Sequence, residues 1–344
     1  MSDSSRDSTS GSAARAPGDA PTQVFVEHRE LLFAVVYNIL GSVADTEDVL
    51  QETWLSWAGS SGRRSSAAEI GNPRAYLVRI AVNHALAWRA RISRRRETYI
   101  GPWLPEPLIT PEAASPRDDT TDTAERALRT EAVSMALLVV METLSPLERA
   151  VFVLHEAFGF AHTEIADILD RSPAAVRQLA HRAREHVQAR RPRYRAHPRI
   201  QQQVTERFVA AALGGDVATL MEILAPDVTL WTDGGGNARA ALRPVQGRQK
   251  VARLLAGYAS RPPRGLDVRY RRVNGAPSAV IFAEDAPYAV MVMDLTQEGD
   301  QVCDVFLVTN PEKLSAVERD EEAAPEASPR ARDEDGTAGP LGAD

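Results

Sequence analysis

Apolar positions recur at helical spacing through the first 190 residues and at alternating spacing in stretches beyond residue 225. This predicts helices first and a sheet later. The helical pattern begins near Thr22. Phe25, Leu31, Leu32, Val35, Val36, Ile39 and Leu40 supply one broad apolar face, which Gly41 ends. The next helix, within SVADTEDVLQETWLSWAG, has Val49, Leu50, Trp54 and Leu55 as its apolar residues and crowds Asp45, Glu47, Asp48 and Glu52 into its first turns, at the positive end of the helix dipole. A polar loop is expected over 59–71. Asn72-Pro73 then opens a long helix with core spacing at Tyr76, Leu77, Ile80, Ala81 and Ala85. Its second half carries Trp88, Arg89, Arg91, Arg94, Arg95 and Arg96. Residues 97–124 are broken by prolines and form an extended linker. Linkers are usually polar, so Trp103 and Leu104 mark a segment that docks. Helix resumes from Ala124 to Leu144, and Ser145-Pro146 with Glu148 caps another over 146–157.

AHTEIADILDRSPAAVRQLAHRAREHVQAR, residues 161–190, reads as a helix-turn-helix. Thr163 is placed to cap a first helix bearing Ile165, Ile168 and Leu169. Asp170 to Pro173 breaks it, with Ser172 as the second N-cap and Pro173 at the first helical position. Val176, Leu179, Ala180, Ala183 and Val187 share one face of the second helix. Arg177, Gln178, His181 and Arg182 fall outside it, where arginine can pair with guanine and glutamine with adenine in a major groove. An ordinary helical hairpin has the same outline, and this stretch alone leaves both readings open.

After a basic hinge the style changes. Two helices (200–213 and 217–224), the strand VTLWTD, the loop Gly234-Gly235-Gly236-Asn237, a helix (248–259) and strand patterns at 266–274, 278–284, 288–296 and 301–308 predict an α+β unit. Its sheet of about four to six strands, curved and antiparallel, would form a cone or open barrel with an interior cavity. Trp231 and Asp233 are the candidate cavity-wall residues. Both chain ends, 1–21 and 315–344, have compositions expected of disorder.

Net charge is −7, which argues against general nucleic-acid coating, yet arginine concentrates in 171–199 and acid in the tail. Cys303 is the single cysteine, so neither an intrachain disulfide nor a cysteine-based zinc site is available, and no metal or cofactor is expected. With no apolar run long enough for a bilayer, the expectation is a cytoplasmic protein with no membrane association.

Together, DTEDVLQETWLSW, NPRAYLVRIAVNHAL and LSPLERAVFVLHEAFGFAHTEIADILDRSPAAVRQLAHRAR resemble an extracytoplasmic-function (ECF) sigma factor, a promoter-recognition subunit of bacterial RNA polymerase. YIGPWLPEPL, DGGG, VNGAPSAVIF and NPEKL resemble the SigJ-like subgroup, which carries a C-terminal SnoaL-like domain. The resemblance implies a multidomain chain: two all-α sigma domains, region 2 over 22–96 and region 4 over 125–192, then a SnoaL-like cone-shaped barrel over 198–314. It implies that Asp45, Asp48, Gln51 and Glu52 meet the β′ clamp helices of core polymerase, with region 4 against the β flap. It implies that Asn83 lies beside a flipped-base pocket for the melted −10 element, with Trp88, Arg89, Arg91, Arg94 and Arg95 around it. Ser172, Arg177, Gln178, His181 and Arg182 then read the −35 element. Regulation in cis by the fused domain, without a separate anti-sigma factor, follows from the same resemblance. Asn237 departs from the subgroup, whose glycine-rich loop usually ends in lysine.

Two other classes compete. The C-terminal unit as an enzyme or small-molecule sensor would draw on Asp227, Asp233, Glu284, Asp285, Tyr288 or Asp294, because that unit has no histidine. Lone carboxylates near strand ends are more often solvated or capping groups. A plain DNA-binding repressor leaves the acidic helix unexplained.

Overall fold

A computed structural model describes residues 19–63, 71–110, 133–189 and 197–317. Residues 1–18 of the expected disordered leader, most of the acidic tail and the proline-rich stretch after residue 110 lie outside the described residues, whereas residues 19–21 of that leader are the first turn of a helix. Helices α1 (Asp19–Leu40), α2 (Val43–Arg63) and α3 (Pro73–Glu97) pack mutually. The predicted apolar face of α1 is buried, and Phe25 meets Trp54 of α2 edge-on at 5.3 Å. α2 continues through Gly59 to Arg63 where a loop was expected. A glycine inside a helix costs about 1 kcal/mol, which a packed helix absorbs.

After the linker come α4 (Met135–Met141), capped by Ser134, and α5 (Pro146–Phe152), whose capping box of Ser145 and Glu148 is formed as expected. A π-helical turn, Val153–Ala157, leads to α6 (His162–Leu169) and α7 (Pro173–Gln188). Thr163 is not the cap of α6. The cap is Ala161, two residues earlier, because the Glu164 carboxylate accepts the Ala161 N–H at 2.7 Å and so fixes the first turn. Asp170 adopts the left-handed conformation (φ 53°) and turns the chain, and Ser172 accepts from Ala175 N–H to start α7. One hydrophobic core runs through α1, α2, α3 and the α4–α7 unit, so the two helical units are packed together, not strung apart.

The C-terminal unit has α8 (Pro198–Gly214), α9 (Val217–Ile223) and α10 (Arg248–Ala259) on one face of a seven-stranded sheet. Its strands are β1 (Ile109–Thr110), β2 (Leu224–Asp233), β3 (Val245–Gln246), β4 (Leu266–Val273), β5 (Ala276–Ala283), β6 (Ala286–Leu295) and β7 (Val302–Val308), in the order β1-β4-β5-β6-β7-β2-β3. The sheet is mixed, because β2 and β7 run parallel. It is also longer than expected, because the linker adds β1 to its edge by pairing Ile109 with Val273. The helix-side face is filled by residues including Phe208, Leu220, Leu255, Ile281 and Met291. The opposite face, with Val280, Phe282, Val292 and Phe306, is covered by Leu104 of the linker and by Met135 and Ala136 of α4. Among the described residues no helix is long and apolar enough to cross a membrane.

Candidate functional site

The second helix of the helix-turn-helix presents its polar face to solvent. Val176, Leu179, Ala180, Ala183 and Val187 are buried, while Ser172, Arg177, Gln178, His181 and Arg182 are exposed. These five are not equivalent. Ser172 is occupied as the helix cap, and His181 sits 3.5 Å from Glu185. Arg182 pairs at 3.0 Å with the mostly buried carboxylate of Glu148, so it ties α7 to α5. Burial pulls the Glu148 carboxyl up, but hydrogen bonds from Ser145 and the nearby Arg182 outweigh it and leave it below the usual range. Arg184 makes a second tie, to Glu156 at 2.5 Å. Arg177 and Gln178 remain as exposed groups on the outer face of the helix.

On α3 the expected cluster divides. Asn83 is exposed. Arg89 is not available to nucleic acid in this conformation: it is 7% exposed, donates to the Ile39 carbonyl at 2.8 Å and pairs with Glu142 at 3.2 Å. Helical periodicity puts it inward, toward α1 and α4. Trp88 is half-buried, with its indole N–H buried and unpaired, and Arg91 lies over its ring at 5.9 Å. The side chains of Arg94 and Arg95 lie outside the described residues.

On α2, Asp48 and Gln51 line a shallow cleft with Phe25, Arg29, Leu50 and Trp54. Leu55 is exposed nearby at 63%. Asp45 stands in the first turn, and Glu52 is 3.3 Å from His84 of α3. An acidic rim around apolar floor residues suits a partner that is basic with apolar anchors.

The densest polar network lies where the linker crosses the sheet. Asp233, expected on a cavity wall, is fully buried and turned toward the linker instead. Its carboxylate accepts from Tyr99 hydroxyl (2.5 Å), Leu104 N–H (2.8 Å), Gly235 N–H (3.1 Å) and Lys313 Nζ (2.7 Å). Lys313 also donates to the Leu104 carbonyl and lies over the Trp103 ring at 4.1 Å. Asn310 donates to Tyr99 at 2.9 Å. Burial and the facing Asp233 raise the Tyr99 phenol well above its usual range. Gly235, at φ 60°, has no room for a Cβ, which would stand 2.4 Å from Asn310. Asn237 takes no part in this cluster; its N–H closes the turn on Gly234.

Further along the linker, Glu106 is buried and caps α2 from outside that helix, accepting Val43 N–H at 2.7 Å and Ser42 hydroxyl at 3.2 Å. Burial lifts its carboxyl above the normal range against the pull of these donors. Tyr37 of α1 donates to the Glu106 carbonyl at 2.6 Å and accepts from Asn274 at 2.8 Å. Trp103 and Leu104 therefore do dock, and the linker joins α1, the start of α2 and the sheet in one buried seam. Sequence reasoning missed Tyr37, Glu106, Asn274, Asn310 and Lys313. The available signals were Lys313, one of only two lysines in a chain whose positive charge is otherwise arginine, and the strings YIGPWLPEPL, VNGAPSAVIF and NPEKL, which hold Glu106, Asn274, Asn310 and Lys313.

Of the carboxylates considered for catalysis, Asp227 and Asp294 lie within electrostatic reach of Asp304, while Asp233, Glu284 and Asp285 stand elsewhere. Asp227 is exposed, Glu284 and Asp285 sit at the β5–β6 turn, and Tyr288 is 43% exposed. Trp231 donates to Asp304 at 3.2 Å. Among the described residues no group of acid, histidine or cysteine side chains has the geometry to hold a metal ion.

Residues 24–96 match the family model for sigma-70 region 2, and residues 134–187 match that for sigma-70 region 4. The chain is 36% identical over 295 residues to the ECF RNA polymerase sigma factor SigJ of Mycobacterium tuberculosis H37Rv, covering 83% of this chain and 91% of that protein. It is 28% identical over 290 residues to the probable ECF sigma factor SigI of the same organism, covering 84% and 93%. The crystal structure of M. tuberculosis SigJ matches with a TM-score of 0.63 at 31% identity, over 86% of this chain and 98% of that one.

Proposed function

The chain belongs to the ECF sigma-factor family, whose members are non-catalytic subunits that direct RNA polymerase to promoters, and from that premise we propose a division of labour among its surfaces. The acidic face of α2, with Asp45, Asp48, Gln51 and Glu52 around an apolar cleft, docks on the β′ clamp helices of core polymerase. The α4–α7 unit sits against the β flap. Asn83 on α3 reads the melted −10 element, with Arg91 beside it; Arg89 is not one of the contacts. Arg177 and Gln178, with His181, read the −35 element in the major groove. The C-terminal unit regulates these acts in cis, without a separate anti-sigma factor.

The observation that carries this reading is the exposed outer face of α7 on a capped helix whose inner face is buried and whose Arg182 and Arg184 are paired to the neighbouring elements. Arg177→Ala should cost about 1–3 kcal/mol at one −35 base pair and relax preference there. Binding measured across a −35 variant library checks it. A uniform loss over all sequences would assign Arg177 to phosphate and remove it from base reading.

A further inference from the structure

The packed arrangement of the two helical units has a spatial consequence. If α3 and α7 read elements 25 base pairs apart, those elements are about 85 Å apart on straight duplex. At 1.5 Å per residue, α3 is about 37 Å long and α7 about 24 Å. Here α3 packs on both α5 and α6, and α7 packs on the same two helices, within one core. The two readers cannot reach both elements without separating. Some structure must hold them together and release them.

The seam between the units contains one buried charged cluster. Arg149 of α5 is fully buried; its Nε donates to the Asn38 carbonyl at 2.8 Å, and its guanidinium pairs with Glu142. Arg89 of α3 pairs with the same carboxylate and donates to the Ile39 carbonyl. Two arginines, one from each unit, thus close on one glutamate and on the last carbonyls of α1, which a helix end leaves unpaired. The closure is incomplete. One Arg149 nitrogen, the Asn38 side-chain oxygen and the Trp88 indole N–H are buried with no hydrogen-bond partner. Both arginines pair with the same carboxylate, and the stranded polar groups of Arg149, Asn38 and Trp88 add to the desolvation cost. Such a seam is held shut by its surroundings as much as by its own contacts.

The linker supplies that surrounding contact. Trp103 packs against Gly41, where an added Cβ would stand 2.9 Å from its ring and 3.5 Å from the Arg149 guanidinium. Lys313 of the C-terminal unit lies over the same ring at 4.1 Å. Trp103 therefore touches both Lys313 and Gly41, and the Arg149 guanidinium lies beside the same glycine.

We propose that the Arg89–Glu142–Arg149 cluster is a latch between the two helical units, that Trp103 covers it, and that the C-terminal unit controls opening by holding Trp103 through Lys313. This rests on the sigma-factor reading for its purpose, not for its mechanics.

The test is a distance measurement on the free full-length chain. In a Cys303→Ser background, spin labels at Leu55→Cys on α2 and Gln188→Cys at the end of α7 report the separation of the units by double electron–electron resonance. The parent should show one short distance. Glu142→Gln, which removes the carboxylate charge that both arginines pair with, should add a longer distance and raise its population about tenfold. Trp103→Ala should move the distribution the same way with the cluster intact, and it carries the test if Glu142→Gln does not fold. A single short distance in Trp103→Ala, and in every variant that folds, would overturn the latch. Separation seen by resonance in a chain that drives no transcription with competent core polymerase would keep the latch and remove the sigma role.

Discussion

Replacing Asp233 by asparagine should loosen the C-terminal unit from the rest of the chain. Four donors converge on this carboxylate: Tyr99 hydroxyl, Leu104 N–H, Gly235 N–H and Lys313 Nζ. An amide keeps one acceptor oxygen and turns an NH2 group toward donors. It also removes the carboxylate charge that faces the largely buried Lys313 ammonium at 2.7 Å. Breaking a buried pair from one side costs about 3–5 kcal/mol. Lys313→Met should cost less, about 1–3 kcal/mol, because Asp233 retains three donors. The double variant should fall short of the sum by about 1–3 kcal/mol, since the stranded ammonium is no longer present. Urea unfolding of the full chain, followed by the fluorescence of its five tryptophans, measures all three. Asp233→Asn within about 1 kcal/mol of the parent, or a larger loss in Lys313→Met than in Asp233→Asn, would refute the claim that Asp233 anchors the seam.

Burial, opposed by the Trp231 hydrogen bond and reinforced by Asp294 and Asp227, pushes the Asp304 carboxyl up to about 6. The folded state therefore holds this proton more tightly than the unfolded state, and the penalty is absent below the ordinary carboxylate range and complete above about 6. Asp304→Asn should stabilise the C-terminal unit by about 1–3 kcal/mol near neutral pH, with the advantage vanishing as pH falls toward 4; thermal melts of both forms across that range decide it. Arg182→Ala should lower the melting temperature through loss of the Glu148 tie and weaken promoter binding evenly across sequences. A base-specific change from Arg182→Ala would put it back among the reading residues.

The helical half was legible because its signals are local. Apolar spacing placed α1, α3 and α7, and Ser145, Glu148, Ser172 and Pro173 mark helix starts by chemistry that acts within one turn. Where the readings slipped, a competing local contact decided: Glu164 took the Ala161 N–H and displaced Thr163 as the start of α6. The SigJ-like resemblance also extended correctly over the sheet unit. What was not legible was long-range. Arg89 and Asp233 carry the residue types of a DNA contact and a catalytic acid, and only the fold turns the first onto Ile39 and Glu142 and the second onto the linker. The strings YIGPWLPEPL, DGGG, VNGAP and NPEKL stand far apart in sequence. They meet in space, where Tyr99, Asp233, Asn310 and Lys313 share one network and Asn274 reaches Tyr37 beside Glu106. No periodicity encodes a pairing across more than a hundred residues.

The central claim is that this chain directs polymerase to promoters under the control of its own C-terminal unit. In vitro transcription with core RNA polymerase and a genomic promoter library tests it most directly, comparing the full chain with one ending near Pro192. The account predicts promoter-specific transcripts from the full chain and a clear change in their level when the C-terminal unit is removed. No specific transcripts with a core enzyme shown to be competent would contradict the sigma role, and equal transcript levels from both chains would contradict regulation in cis.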